Sequence, residues 1–132
     1  MSARDVLQAA IVARLATVGS GGAEWRVFDA PPVRGGVPYA VVEEPVLQQA
    51  DAAGIAGRTG TVSVASFDAG ERPVRLRRLI GAAEDALATL SGDLGEGWRL
   101  TGMRLVRSRL VRSGDDRWRG VSEFAVRLYR ES

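Results

Sequence analysis

Hydrophobic positions recur along this chain with two different periods. Val6, Leu7, Ala10, Ile11, Leu15 and Val18 fall at helical spacing, while Arg4, Gln8 and Arg14 lie on the opposite side. That pattern predicts an amphipathic helix capped by Ser2 or Asp5 and running to about Val18. Gly19-Ser20-Gly21-Gly22 stops it. A second stripe, Leu76, Leu79, Ile80, Ala83, Leu87 and Leu90, predicts another helix, with Arg75, Arg77, Arg78, Glu84 and Asp85 solvated. Pro73 suits its first turn, and Asp68 or Glu71 places negative charge near its start. Ser91-Gly92 ends it, and Gly95-Glu96-Gly97 leads onward.

The other period is two. From Trp118 to Tyr129, Trp118, Ser122, Phe124, Val126 and Leu128 share one face; Arg119, Glu123, Arg127 and Tyr129 share the other. This is a half-buried strand. Before it, Leu100 to Arg112 reads as its hairpin partner around a Ser113-Gly114-Asp115-Asp116 turn. Its apolar residues cannot all share one face, so a bulge is expected near Leu105-Val106, or else one strand end covered on both sides. Earlier strand candidates are Trp25 to Phe28, ended by Asp29-Ala30-Pro31-Pro32; Pro38 to Glu43; and Gly60 to Phe67, alternating Val62 and Val64 with Thr61, Ser63 and Ala65. Glu44 to Arg58 has no sustained period and reads as a long loop, functional or mobile. The expected fold is one α+β domain over 1–132. It is a two-layer sandwich, with a mainly antiparallel sheet of about four strands and two helices packed on one face.

Composition then removes chemistry. The 132 residues contain no Cys, no His and no Lys; all 18 basic residues are Arg. Disulfides, thiolate metal sites, the commonest general base and Schiff-base chemistry are excluded. Neighbouring carboxylates occur at Glu43-Glu44, Glu84-Asp85 and Asp115-Asp116, but two of these pairs suit opposite strand faces or a solvated helix face, and the third suits turn chemistry. Gly19-x-Gly21 has neither a preceding strand nor a following helix, so it is no nucleotide loop. No catalytic residue, cofactor or metal site is expected. The net charge of +2 implies no domain-wide basic field. No apolar run approaches a membrane span, so a soluble protein made in the cytoplasm is expected.

What remains is a hairpin rich in arginine. Arg104, Arg107, Arg109, Arg112, Arg117 and Arg119 line its outer side and tip. They fit a solvated sheet face with cross-strand pairs such as Arg107 or Arg109 with Glu123, an interface with an acidic protein surface, or contact with DNA phosphates. Candidate interface residues are Arg107, Arg109, Arg112, Asp115, Asp116, Arg117, Trp118 and Arg119 on the hairpin, with Gln48, Gln49 and Arg58 from the long loop.

The order of segments resembles one family: the tail-completion, or tail-terminator, proteins of long-tailed phages and gene transfer agents. The resemblance runs through the opening helix with Leu7-Gln8-Ala9-Ala10-Ile11, then Val27-Phe28-Asp29-Ala30-Pro31-Pro32 and Val37-Pro38-Tyr39-Ala40-Val41-Val42. It continues in Thr61-Val62-Ser63-Val64 with Phe67, the helix from Val74, and the Arg-rich hairpin ending at Tyr129. The Glu44-Pro45 continuation departs from the family pattern. The resemblance implies a non-enzymatic virion protein at the head-proximal end of the tail, forming a homo-oligomeric ring, commonly a hexamer. Its implied partners are the major tail tube protein, the head-completion or connector protein, and DNA that passes through the lumen without sequence-specific binding. Another head–tail connector, a stopper or adaptor, is the near alternative. A nucleic-acid-binding module and a small carboxylate enzyme are the more distant ones.

Overall fold

The computed structural model describes residues 1–131. In chain order its elements are α1 (Ala3–Leu15), β1 (Arg26–Phe28), β2 (Tyr39–Val42), β3 (Val46–Gln49), β4 (Gly57–Ala69), α2 (Val74–Ala88), β5 (Gly92–Gly95), β6 (Trp98–Gly114) and β7 (Arg117–Arg130). The α+β class and both helices are as expected. The strand count is not: the described residues form one seven-stranded sheet, ordered β1-β2-β4-β7-β6-β5, with β3 also on β4.

The hairpin of β6 and β7 is the spine of this sheet, and β4 runs antiparallel to β7 over its whole length, from Gly57 opposite Tyr129 to Ala69 opposite Arg117. The register of β6 slips between Leu105 and Arg107, where the sequence demanded a bulge, and again between Leu100 and Gly102 and between Arg112 and Gly114. The pairing is mainly antiparallel, as expected; the exception is β1 with β2, which pair in parallel. The Asp29–Pro38 segment between them is long enough to bring the chain back to the same end.

The expected long loop over 44–58 contains a strand, β3, and the start of β4. β2 pairs with the far half of β4, Val64 to Phe67, and β3 pairs with the near half, Arg58 to Thr61. The two short strands thus share one edge of β4, with Glu43, Glu44 and Pro45 between them. β4 also begins three residues earlier than expected, at Gly57. β5 replaces part of the expected linker. It contains two glycines at positive φ and exists through its pairing with Trp98, Arg99 and Leu100.

Both helices cover one face of the sheet. Leu7, Ile11 and Leu15 of α1 and Leu79, Ala83 and Leu87 of α2 join Val62, Val64, Leu100, Phe124, Val126 and Leu128 in one core. Phe124 is fully buried at its centre; sequestering a ring of that size contributes about 1.5–3 kcal/mol. Gly120 marks the closest approach of α2: a Cβ there would stand 2.4 Å from Ile80 Cδ1. The opposite face is uncovered and carries Thr59, Thr61 and Ser63 of β4 beside Glu123, Ala125 and Arg127 of β7.

Helix α1 ends at Leu15 rather than Val18, although Val18 is still buried. Its cap is Ser2: the Asp5 N–H donates to Ser2 Oγ at 3.2 Å, and the Ser2 N–H donates back to Asp5 Oδ2 at 3.0 Å. Ser2→Ala is expected to lower stability by about 1 kcal/mol, measured as a shift of the urea midpoint at unchanged slope. Helix α2 has Pro73 at its N-cap and no side-chain cap. Its first turn is held instead by Arg75, which donates to buried Asp68 through Nε at 2.9 Å and Nη2 at 2.7 Å.

Gln8 was expected on the solvent side of α1. It is buried, because its Nε2 donates to the carbonyl oxygens of Val42 at 2.9 Å and Asp29 at 3.4 Å and ties the helix to the ends of β1 and β2. Arg14, expected outside as well, is half-buried and donates to Ala86 O and Thr89 Oγ1 on α2.

Candidate assembly surfaces

The hairpin carries eight of the candidate interface residues, and the structure arranges them in two groups. On the uncovered face, Arg107 stands opposite Glu123, with Nη2 3.3 Å from Oε1, and remains 71% exposed at its side chain. Arg109 lies on the same face opposite Val121 and is exposed. Arg119 extends over the Phe67 ring, 5.8 Å from its centroid, and Phe67 stacks on Tyr39 at 4.8 Å.

At the tip, Asp115 and Asp116 form the turn between the strands. Asp116 has φ of 51°, a left-handed conformation that aspartate tolerates better than most residues. The Asp116 carbonyl accepts from the Gly70 N–H at 2.8 Å, and Trp118 Nε1 donates to Gly70 O at 2.9 Å. Arg112 lies over the Trp118 ring at 4.6 Å and within 4.0 Å of Asp116. The tip is therefore pinned to the segment ahead of α2, with Arg117 exposed beside it. Trp118 is a half-buried clamp, whereas Trp25 and Trp98 lie in the core.

Gln48, Gln49 and Arg58 are elsewhere. Gln48 and Gln49 are exposed on β3, on the other side of the sheet from β6. Gln49 Nε2 donates to Asp51 Oδ2, and Asp51 Oδ1 accepts from the Gly57 N–H at 2.8 Å. That backbone bond, with Gln49 second, holds the Asp51 carboxyl below its ordinary value. Arg58 is half-buried, over the Trp98 ring at 5.5 Å. Along β7 the tip and this group are separated by the run from Arg117 to Tyr129, roughly 40 Å at the rise of an extended strand. The candidates thus form two surfaces on opposite flanks, not one site.

A third surface was not foreseen. Beside α1 a groove of about 460 Å³ is lined by Arg4, Gln8, Ala9, Val12, Asp29 and Glu44, among others. Its acids sit on a tie that only the folded chain makes, since Asp29 and Gln8 are 21 residues apart.

One member of each carboxylate pair has a structural partner. Glu44 meets Arg4 at 3.1 Å, and Glu84 Oε2 accepts from Ser122 Oγ at 2.7 Å. Among the described residues no group of three or more Asp or Glu is gathered to hold a metal ion, and no helix is long and apolar enough to cross a membrane.

A small domain whose exposed chemistry consists of strand edges, arginines and backbone groups on two unlike flanks is built for fitting into a larger assembly. The chain belongs to the family described as "Tail completion protein gp17", whose sequence model matches residues 9–129. It is thus a structural tail-completion protein of a phage-like particle. Among solved structures, a chain of the "Virion of native gene transfer agent (GTA) particle" is similar in fold, with a TM-score of 0.78 at 23% identity, over 98% of this chain and 99% of that one. No curated protein sequence matches this chain.

Proposed function

We propose that this protein forms a ring of identical subunits, six in number, at the head-proximal end of a tail tube. The ring ends tube polymerisation and joins the tail to the head connector. DNA passes through its lumen without sequence-specific contact, and the subunit makes or breaks no covalent bond. Membership of the tail-completion family over residues 9–129 carries this reading. The shape of the subunit supports it: a ring needs two different side surfaces that meet head to tail, and the β6 and β3 flanks differ in residues and charge.

Deleting the gene is the direct test. A terminator leaves particles with overlong tails. Tails of normal length on heads that leak their DNA would instead assign the protein to the connector as a stopper or adaptor. Purified protein is expected to give rings by negative-stain imaging, alone or on tail tubes.

A further inference from the structure

We infer that the arginine hairpin of one copy seats in the groove beside α1 of the next copy. The inference rests on the ring reading above and names the two surfaces that would meet in it.

The groove supplies the first half of the argument. Ala9 and Val12 give it an apolar wall; Asp29 stands at its rim as a free carboxylate, while Glu44 on the same rim is already paired with Arg4 at 3.1 Å. Gln8 lines it and is only 8% exposed. Because Gln8 Nε2 faces two carbonyl oxygens, Val42 O and Asp29 O, the amide can point only one way. Its Oε1 is then left buried with no donor. That oxygen is sealed beneath the groove surface, so the groove's exposed chemistry is its carboxylates and its apolar wall. The Asp29 carboxylate also has no ion-pair partner among the described residues. A ligand that suits such a groove brings donors, positive charge and a short apolar stem. Arginine has all three, since its methylenes lie along apolar surface while its planar fork meets a carboxylate such as that of Asp29.

The chain carries such a ligand where it cannot reach its own groove. Residues 104–119 hold six arginines and two aspartates, net +4 in a chain of net +2, so the rest of the molecule is net −2. Arg104 and Arg109 have no anionic partner among the described residues. They lie on β6, while Asp29 follows β1 at the far edge of the sheet. A contact between opposite flanks must be made by a second copy. Being heterologous, it repeats from subunit to subunit and closes when the rotation allows.

Direct strand pairing along β6 is the less favoured way to join copies. Three register breaks interrupt that edge, and bulges and charged side chains are the features that keep edge strands from adding neighbours.

The test uses the full chain. Ala9→Trp with Asp29→Ala blocks the groove and leaves the hairpin intact; Arg107→Ser with Arg109→Ser does the reverse. All four positions are at the surface, and matching thermal unfolding transitions confirm that both variants fold. Each is expected to lose rings and sediment as a monomer. Their equimolar mixture is expected to stop at a one-to-one dimer, because only one intact groove and one intact hairpin remain to meet. Both surface variants assembling rings of wild-type size would overturn this inference and leave the ring itself standing. Rings that persist while only DNA affinity falls would assign the hairpin to DNA and overturn it too. Wild-type protein that assembles neither alone nor on tail tubes would remove the ring reading, and this inference with it.

Discussion

Replacing Gly60 by valine is expected to cost more than about 3 kcal/mol of stability and to detach β3 from β4. A Cβ at Gly60 would sit 1.8 Å from the Val46 carbonyl oxygen and 3.1 Å from Leu47 Cα. Both neighbours are backbone, so no side-chain rotation relieves the overlap. β3 must leave β4, which strips the pairing of residues 46–49 with 58–61 and releases Gln48 and Gln49. Loss of a packed strand belongs to the long tail of mutational effects, at more than about 3 kcal/mol. Chemical denaturation should show it as a lowered midpoint, and amide exchange at residues 46–49 should accelerate even where the core stays protected. Gly36→Ala is the control: nothing lies within 4 Å of a Cβ there, so its effect should be near zero or slightly stabilising. Equal losses for the two variants would refute the packing argument.

The same residue explains why β3 could not be read from the sequence. Val-Leu-Gln-Gln has no alternation long enough to announce a strand, and it lies between Glu43-Glu44-Pro45 and an Ala- and Gly-rich stretch. It is extended because β4 offers an unpaired edge and because Gly60 lets the backbone approach. β5 is a similar case, since Gly92-Asp93-Leu94-Gly95 becomes a strand only against Trp98 to Leu100. By contrast α1, α2 and β7 were legible, because each buries one face against a single continuous core, and burial imposes a period on the sequence. The Leu105–Val106 bulge was legible for the same reason, as a break in that period.

Surfaces were legible in part. The hairpin arginines announce themselves by number, and Arg107 meets Glu123 as cross-strand spacing suggested. The distance between the tip and Gln48, Gln49 and Arg58 was not legible, since it depends on which edge of β4 accepts β3. The groove was invisible because its floor is Gln8, a residue that helical spacing alone puts outside. Its burial comes from two carbonyl oxygens supplied by distant strand ends.

Asp68→Ala is the second large effect expected, and it depends on pH. Asp68 is 4% exposed. Its Oδ1 accepts from the Ala69 N–H at 2.8 Å and from Arg75 Nη2, and its Oδ2 accepts from Arg75 Nε. Burial alone would raise its pKa, but the Arg75 hydrogen bonds, the Ala69 N–H and the Arg75 charge together outweigh it and hold the carboxyl below its ordinary 3.8. Hydrogen bonds to a charged group contribute about 1.5–3 kcal/mol each when buried. The Arg75 side chain is 47% exposed, so solvent weakens its share, and the expected loss for Asp68→Ala is about 2–3 kcal/mol in total. Asp68→Asn keeps the volume and one acceptor and should lose roughly half as much. A carboxyl whose folded pKa is depressed contributes stability above its unfolded pKa and loses it as pH falls through the folded value. The gap between wild type and Asp68→Ala should therefore be full at about pH 7 and should narrow below about pH 4. Asp5, Glu24 and Asp51 are depressed as well, chiefly by hydrogen bonds from Ser2, Arg78 and the Gly57 N–H respectively, so wild type should also lose stability over the same acid range. Urea titrations of both proteins at about pH 7 and about pH 3 separate the two contributions. A gap that stays constant with pH would mean that Asp68 acts through its shape rather than its charge, and that the pin between β4 and the first turn of α2 is not an ion pair.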